Sequence, residues 1–192
     1  MRLAPSVVLA LSLLVAAPAR GDDAGLRAGV FSPARSAPDF SLRGSDGTEL
    51  RLSRYRGKVV ILAFGFTSCP DVCPTTLATL AETRKMLGER ADQLQVLYIT
   101  VDPETDSPER LRKYLGSFDP SFVGGTGTAD ELAAVRENYG IAATRKTAGG
   151  SATFSHSSFT YLIDRKGSLR ALMPYGQSSD AYVHDVQVLL GQ

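Results

Sequence analysis

The chain reads as an α/β domain whose sheet combines parallel crossovers with antiparallel hairpins, and three observations predict it. Two strongly apolar runs, residues 59–66 and 94–101, are each followed by a segment with helical periodicity. The composition, 43% hydrophobic over 192 residues, suits one compact domain with a sizeable core plus an extra segment. A short polar turn carrying both cysteines lies between the first run and its helix, the place where α/β proteins expose chemistry.

Taken in order, residues 20–37 are rich in Gly, Ala, Pro and Arg and read as a linker. From Pro38 to Leu52, two alternating segments flank Gly44-Ser45-Asp46-Gly47, the pattern of a β-hairpin that covers a sheet edge. Residues 59–66 are apolar on both faces, as a central strand requires. After the cysteine turn, Pro74 suits the first position of a helix whose apolar residues Leu77, Leu80, Ala81 and Leu87 run to Gly88. Residues 94–101 form the next strand. Ser107-Pro108-Glu109 then combines a cap, an N1 proline and an acid favoured by the helix dipole. A short strand at Phe122-Val123 precedes a helix that Thr128 caps and Gly140 ends. Residues 142–155 are a polar excursion with a turn expected at Gly149-Gly150. A strand at 159–163, a turn, a returning strand at 169–173 and a last helix capped by Ser178 or Ser179 complete the chain. Hairpin, β-α-β-α-β-α, then β-β-α is the order of a thioredoxin-like fold with an N-terminal β-hairpin and an inserted helix.

The formal net charge is +1 and no basic run stands out, which argues against nucleic acid as a partner. Residues 1–19 read as a signal peptide: Arg2, an apolar stretch from Val7 to Ala17, then Ala17-Pro18-Ala19. The apolar stretch is short for a spanning helix, which needs about 20 residues. A cleaved signal gives a periplasmic protein; a retained anchor would hold the domain, residues 38–192, at the inner membrane. Either way the cysteines face an oxidising compartment.

Cys69 and Cys73 are the only cysteines. A disulfide between them would close a very small loop and stabilise the fold little. Three chemistries suit thiols at a strand-to-helix turn, where the helix dipole favours thiolate. Disulfide exchange normally uses two intervening residues rather than three. Peroxide reduction needs a cationic partner that no motif supplies. Metal binding can use two soft thiolates at this spacing, and added imidazole suits copper in both oxidation states. The two histidines differ: His184 lies within the last helix and reads as a helix-face residue, whereas His156 stands between a loop and a buried strand.

Thr67-Ser68-Cys69-Pro70-Asp71-Val72-Cys73-Pro74 resembles the T-x-C-P-D-x-C-P motif of the Sco/SenC/PrrC family. Val101-Asp102-Pro103-Glu104, with Asp106 and Pro108, resembles that family's V-D-P-x-x-D-x-P. His156-Ser157, with Tyr161-Leu162-Ile163-Asp164, resembles its H-S-x-x-x-Y-L-I/M-D block. The resemblance implies a copper chaperone that binds Cu(I) or Cu(II), one per monomer, through Cys69, Cys73 and His156. It implies delivery to the CuA site in subunit II of cytochrome c oxidase, or to another cuproprotein, from a periplasmic copper donor. Its alternative is a thiol-disulfide oxidoreductase that keeps cuproprotein cysteines reduced, with Cys69 and Cys73 as the redox pair. Asp71 is then expected to cap the helix or shape the site, and Asp102 and Asp106 to serve as loop and cap residues. One position departs: Ser155 stands where many members carry Asp, which implies weaker Cu(II) retention.

Overall fold

The computed structural model describes residues 25–148 and 151–192. The expected signal peptide at 1–19 and the Gly149-Gly150 turn lie outside the described residues. An eight-stranded sheet runs in the order β1-β10-β9-β4-β5-β6-β2-β3. Its centre is β4 (Val59–Gly65), every residue of which is buried, parallel to β5 (Leu94–Thr100), which is parallel in turn to β6 (Val123–Thr126). On one side, β9 (Phe159–Ile163) and β10 (Ser168–Pro174) continue the sheet antiparallel. On the other, the hairpin of β2 (Ser41–Gly44) and β3 (Glu49–Arg51) extends it past β6.

Strand alternation divides the core. Val59, Ile61, Ala63, Val96 and Tyr98 face α1 (Val72–Leu87), α2 (Pro108–Gly116) and α4 (Ser179–Leu190). Val60, Leu62, Phe64, Leu97 and Ile99 face α3 (Ala129–Tyr139) and the β2–β3 hairpin. The expected caps are in place. Ser107 accepts from the Arg110 N–H, Ser178 from Ala181, and Thr128 forms a capping box with Glu131. Gly140 ends α3 at φ 65°, the left-handed position that favours glycine.

Three expectations change. The linker at 20–37 holds a strand, β1 (Gly29–Ser36), paired with β10 at the sheet edge. Its side chains are mostly exposed, and Pro33 and Arg35 mask the strand pattern; the pairing partner lies far along the chain. Buried Asp185 ties this entry segment down by accepting from the backbone N–H groups of Arg27 and Ala28. Next, α1 begins at Val72, so Pro74 is its third residue rather than its first. Proline fits there too, because the first four helical N–H groups have no partner within the helix. Finally, the polar excursion folds into a separate two-stranded sheet of β7 (Ala143–Ala148) and β8 (Ser151–His156).

Candidate metal centre

The cysteine turn leaves the end of β4 and is held from beneath by the loop after β5. Asp106 is fully buried, and its carboxylate accepts from the Thr67 N–H (3.0 Å), the Thr67 hydroxyl (2.5 Å) and the Thr100 hydroxyl (2.6 Å). Arg110, on the first turn of α2, donates to Thr67 Oγ1 (2.7 Å) and Ser68 Oγ (3.1 Å) and lies 3.8 Å from the Asp106 carboxylate. The Val101 N–H donates to the Gly65 carbonyl (2.8 Å). Thr67 and Ser68, the residues directly before Cys69, are thus fixed by side chains about 40 positions away. Asp106 therefore acts as a clamp on the thiol turn, beyond the loop role expected of it.

Both cysteines are free; Cys73 is buried and Cys69 half-buried. Asp71 occupies the N-cap position of α1, but its side chain makes no capping hydrogen bond. The Cys69 sulfur instead accepts the Cys73 N–H at 3.4 Å, within the sulfur range. A thiol thus takes the place that the carboxylate was expected to fill, at the helix end where negative charge is favoured.

His156 reaches the same point from the base of the β7–β8 hairpin, opposite Ala143 in register. Two hydrogen bonds close that base, Ser157 N–H to the Ala142 carbonyl and Ala142 N–H to Ser157 Oγ. Farther along β7, Arg145 pairs with Glu104 of the loop after β5 at 2.6 Å. The His156 Nδ1 lies 2.8 Å from the Ser157 carbonyl, which can only accept, so Nδ1 carries the proton. Nε2 then presents its lone pair, 3.5 Å from Cys73 Sγ. The Phe66 ring meets the imidazole edge to face, with centroids 6.0 Å apart.

That separation matters chemically. For metal bonds of about 2.3 Å to sulfur and about 2.0 Å to nitrogen, donors 3.5 Å apart subtend a near-tetrahedral angle at one ion. Among the described residues no three His, Cys, Asp or Glu side chains form a closed metal-ligand group. The Cys69 sulfur is engaged by the Cys73 amide beside the Cys73–His156 pair. His184 pairs with Asp185 on α4. Ser155 is exposed, and orientation of the imidazole falls to the Ser157 carbonyl.

Burial above all, together with the neighbouring Cys69, pushes the Cys73 thiol up to about 12, against the opposing pull of the Phe66 backbone and the Tyr98 hydroxyl. Beside Cys73 and His156 opens a cleft of about 130 Å³, also lined by Tyr98, Thr76, Thr160 and Tyr182. Tyr98 belongs to the site although nothing in its own strand marks it; there it reads only as one more apolar residue.

Fold and site together define a thioredoxin-like protein with two free cysteines at the strand-to-helix turn and an imidazole facing one of them. The SCO1/SenC family model matches residues 31–191, and the chain belongs to that family. It is 35% identical over 132 residues to a SCO2-like protein of Rickettsia felis, spanning 67% of this chain and 64% of that one. It is 36% identical over 143 residues to mitochondrial SCO1 of Saccharomyces cerevisiae, spanning 72% of this chain and 48% of that protein. The chain thus spans less than two thirds of the length of these curated relatives. Among solved structures, it is similar to Bradyrhizobium japonicum ScoI with copper bound. There the TM-score is 0.75 at 32% identity, covering 81% of this chain and 99% of that one. For yeast Sco1 with copper bound the TM-score is 0.71, also at 32% identity, covering 80% and 87%.

Proposed function

We propose that this protein is a copper-binding assembly factor. Cys69, Cys73 and His156 hold one copper ion per monomer as cargo, and the ion passes to the CuA site of cytochrome c oxidase subunit II or another cuproprotein. The observation that carries the reading is the Cys73–His156 pair. A soft sulfur faces an imidazole lone pair at a spacing one ion can bridge, with a second thiol one helical turn away. The copper-bound relatives support it. Thiolates favour Cu(I) and the imidazole extends the set to Cu(II). The place of action proposed is the periplasm, with a periplasmic donor supplying the ion. Among the described residues no helix is long and apolar enough to cross a membrane.

The test is metal content and spectroscopy of the purified protein. One copper per monomer and a thiolate-to-Cu(II) absorption band are expected. His156→Ala should retain Cu(I) and lose at least about tenfold in Cu(II) affinity. A wild type that retains no copper overturns the reading.

Metal binding must displace the Cys73 proton, which gives a second expectation. The thiol is raised to about 12, so it is protonated across the neutral range. Apparent Cu(I) affinity therefore rises with pH, about tenfold per unit from this thiol alone, and falls as pH drops. Competition against a coloured Cu(I) chelator from about pH 6 to about pH 8, corrected for the chelator's own protonation, measures the slope. A flat profile would contradict the assignment of Cys73.

A thiol-disulfide oxidoreductase is the second reading. Two free cysteines one helical turn apart, with the more exposed sulfur at the helix N-terminus, favour it. The raised Cys73 thiol makes that residue a poor attacking or leaving group. Catalytic reduction of a disulfide substrate at rates typical of dithiol enzymes would establish this activity.

A further inference from the structure

Tyr98, in the middle of β5, is 1% exposed, and its hydroxyl makes no hydrogen bond of normal geometry among the described residues, although it lies close enough to the Cys73 thiol to act on its acidity. A buried, unpaired hydroxyl is costly, and phenylalanine would fill nearly the same volume without that cost. On the same strand the Thr100 hydroxyl is satisfied by Asp106. What distinguishes Tyr98 is where its oxygen lies. Tyr98 stands beside Ala63 in the parallel register, and its ring runs along β4 beneath Gly65. A methyl group on Gly65 would come within 2.2 Å of the tyrosine oxygen and 2.8 Å of Cys73 Sγ. The oxygen and the sulfur therefore lie within about 5 Å of each other, in the space a side chain at position 65 would otherwise take.

A neutral thiol is a weak acceptor, but a metal-bound thiolate keeps lone pairs that accept strongly. The absence of a side chain at Gly65 leaves the hydroxyl an open approach to that sulfur. We propose that Tyr98 is a positioning residue that donates its hydroxyl proton in a hydrogen bond to the Cys73 thiolate of the copper-loaded protein. The inference rests on the copper reading above. Its consequence concerns the balance between oxidation states. A hydrogen bond to a coordinating thiolate withdraws electron density from the sulfur, which disfavours Cu(II) relative to Cu(I). The unpaired hydroxyl of the metal-free form is then a donor awaiting its acceptor.

The test compares Tyr98→Phe with wild type, each in the metal-free, Cu(I) and Cu(II) forms. The variant should move the thiolate-to-Cu(II) band to longer wavelength. Its ratio of Cu(I) to Cu(II) affinity should fall by the order of tenfold. The metal-free variant should melt at the wild-type temperature or above it, since an unpaired hydroxyl has been removed. An unchanged band and ratio, in a background where wild type forms the coloured complex, would overturn the inference alone and assign the hydroxyl to the adjacent cleft. A variant that is destabilised without metal while the band of its Cu(II) form stays in place would reduce Tyr98 to packing and likewise overturn it. A wild type that retains no copper would remove the copper reading and this inference with it.

Discussion

A protein carrying serine at both 69 and 73 is expected to lose Cu(I) binding by several orders of magnitude while keeping its fold. The chain has no other cysteine, so the double substitution removes every thiolate. His156 alone leaves a single imidazole, and the carboxylate of Asp106, which holds Thr67, is a hard ligand poorly suited to Cu(I). The fold survives because the cysteines contribute little to stability. They form no disulfide, and Cys69 is only half-buried. At buried Cys73 the new hydroxyl costs about 1–2 kcal/mol where it lacks a partner. Chelator competition and thermal melting of the same sample separate the two effects. Tight Cu(I) retention by a cooperatively folded double variant would sink the assignment of both thiols.

The parts of this fold that could be read locally share one property: their determinants lie within a few residues of each other. The apolar run of β4 and the caps at Ser107, Thr128 and Ser178 belong to that class. Strand β1 does not, because its residues are exposed and its reason for being extended is β10, some 140 positions later. The same division runs through the site. The two thiols are visible as a spacing, and His156 is marked by its place between a loop and a buried strand, with the family motif making it a candidate ligand. Asp106 and Arg110 hold Thr67 and Ser68 across about 40 positions, so no window of sequence could reveal the clamp. Tyr98 is hidden more completely, because its role depends on the missing side chain of a residue in the neighbouring strand. Asp71 shows the opposite error. An acid before a helix suggests a cap, yet the sulfur two residues earlier takes the first-turn N–H.

The imidazole is held differently from the thiols. They stand on the central sheet's own strand-to-helix turn, whereas His156 is carried by a second, smaller sheet. Its position at the base of that hairpin is what makes this workable. The Ser157–Ala142 hydrogen bonds fix the base, and the Ser157 carbonyl sets the tautomer. The exposed Arg145–Glu104 ion pair farther along the strand is worth about 1 kcal/mol or less. Precision at the imidazole therefore comes from the hydrogen-bonded base of the hairpin, and the polar composition of residues 142–155 says little about how firmly His156 is held.

Replacing Asp106 with alanine is expected to destabilise the protein by about 3 kcal/mol and to weaken copper binding without removing any ligand. The carboxylate is fully buried and receives three hydrogen bonds, two of them from Thr67. Removing it leaves the Thr100 hydroxyl buried without its acceptor and frees the Thr67 backbone from the floor of the site. Arg110 would keep its contacts with Thr67 and Ser68 but lose the charge 3.8 Å away that balances its own. The turn preceding Cys69 would then be ordered from one side only, and bringing both sulfurs to one ion would carry an entropic cost that Asp106 now offsets. Denaturant unfolding should show a lower midpoint with an unchanged slope, and chelator competition a weaker Cu(I) complex of the same stoichiometry. Asp106→Asn keeps one acceptor oxygen and should fall between wild type and alanine in both measurements. If Asp106→Ala instead cost less than about 1 kcal/mol and bound copper as tightly as wild type, the thiol turn would have to be held by Arg110 and the Gly65–Val101 bond alone.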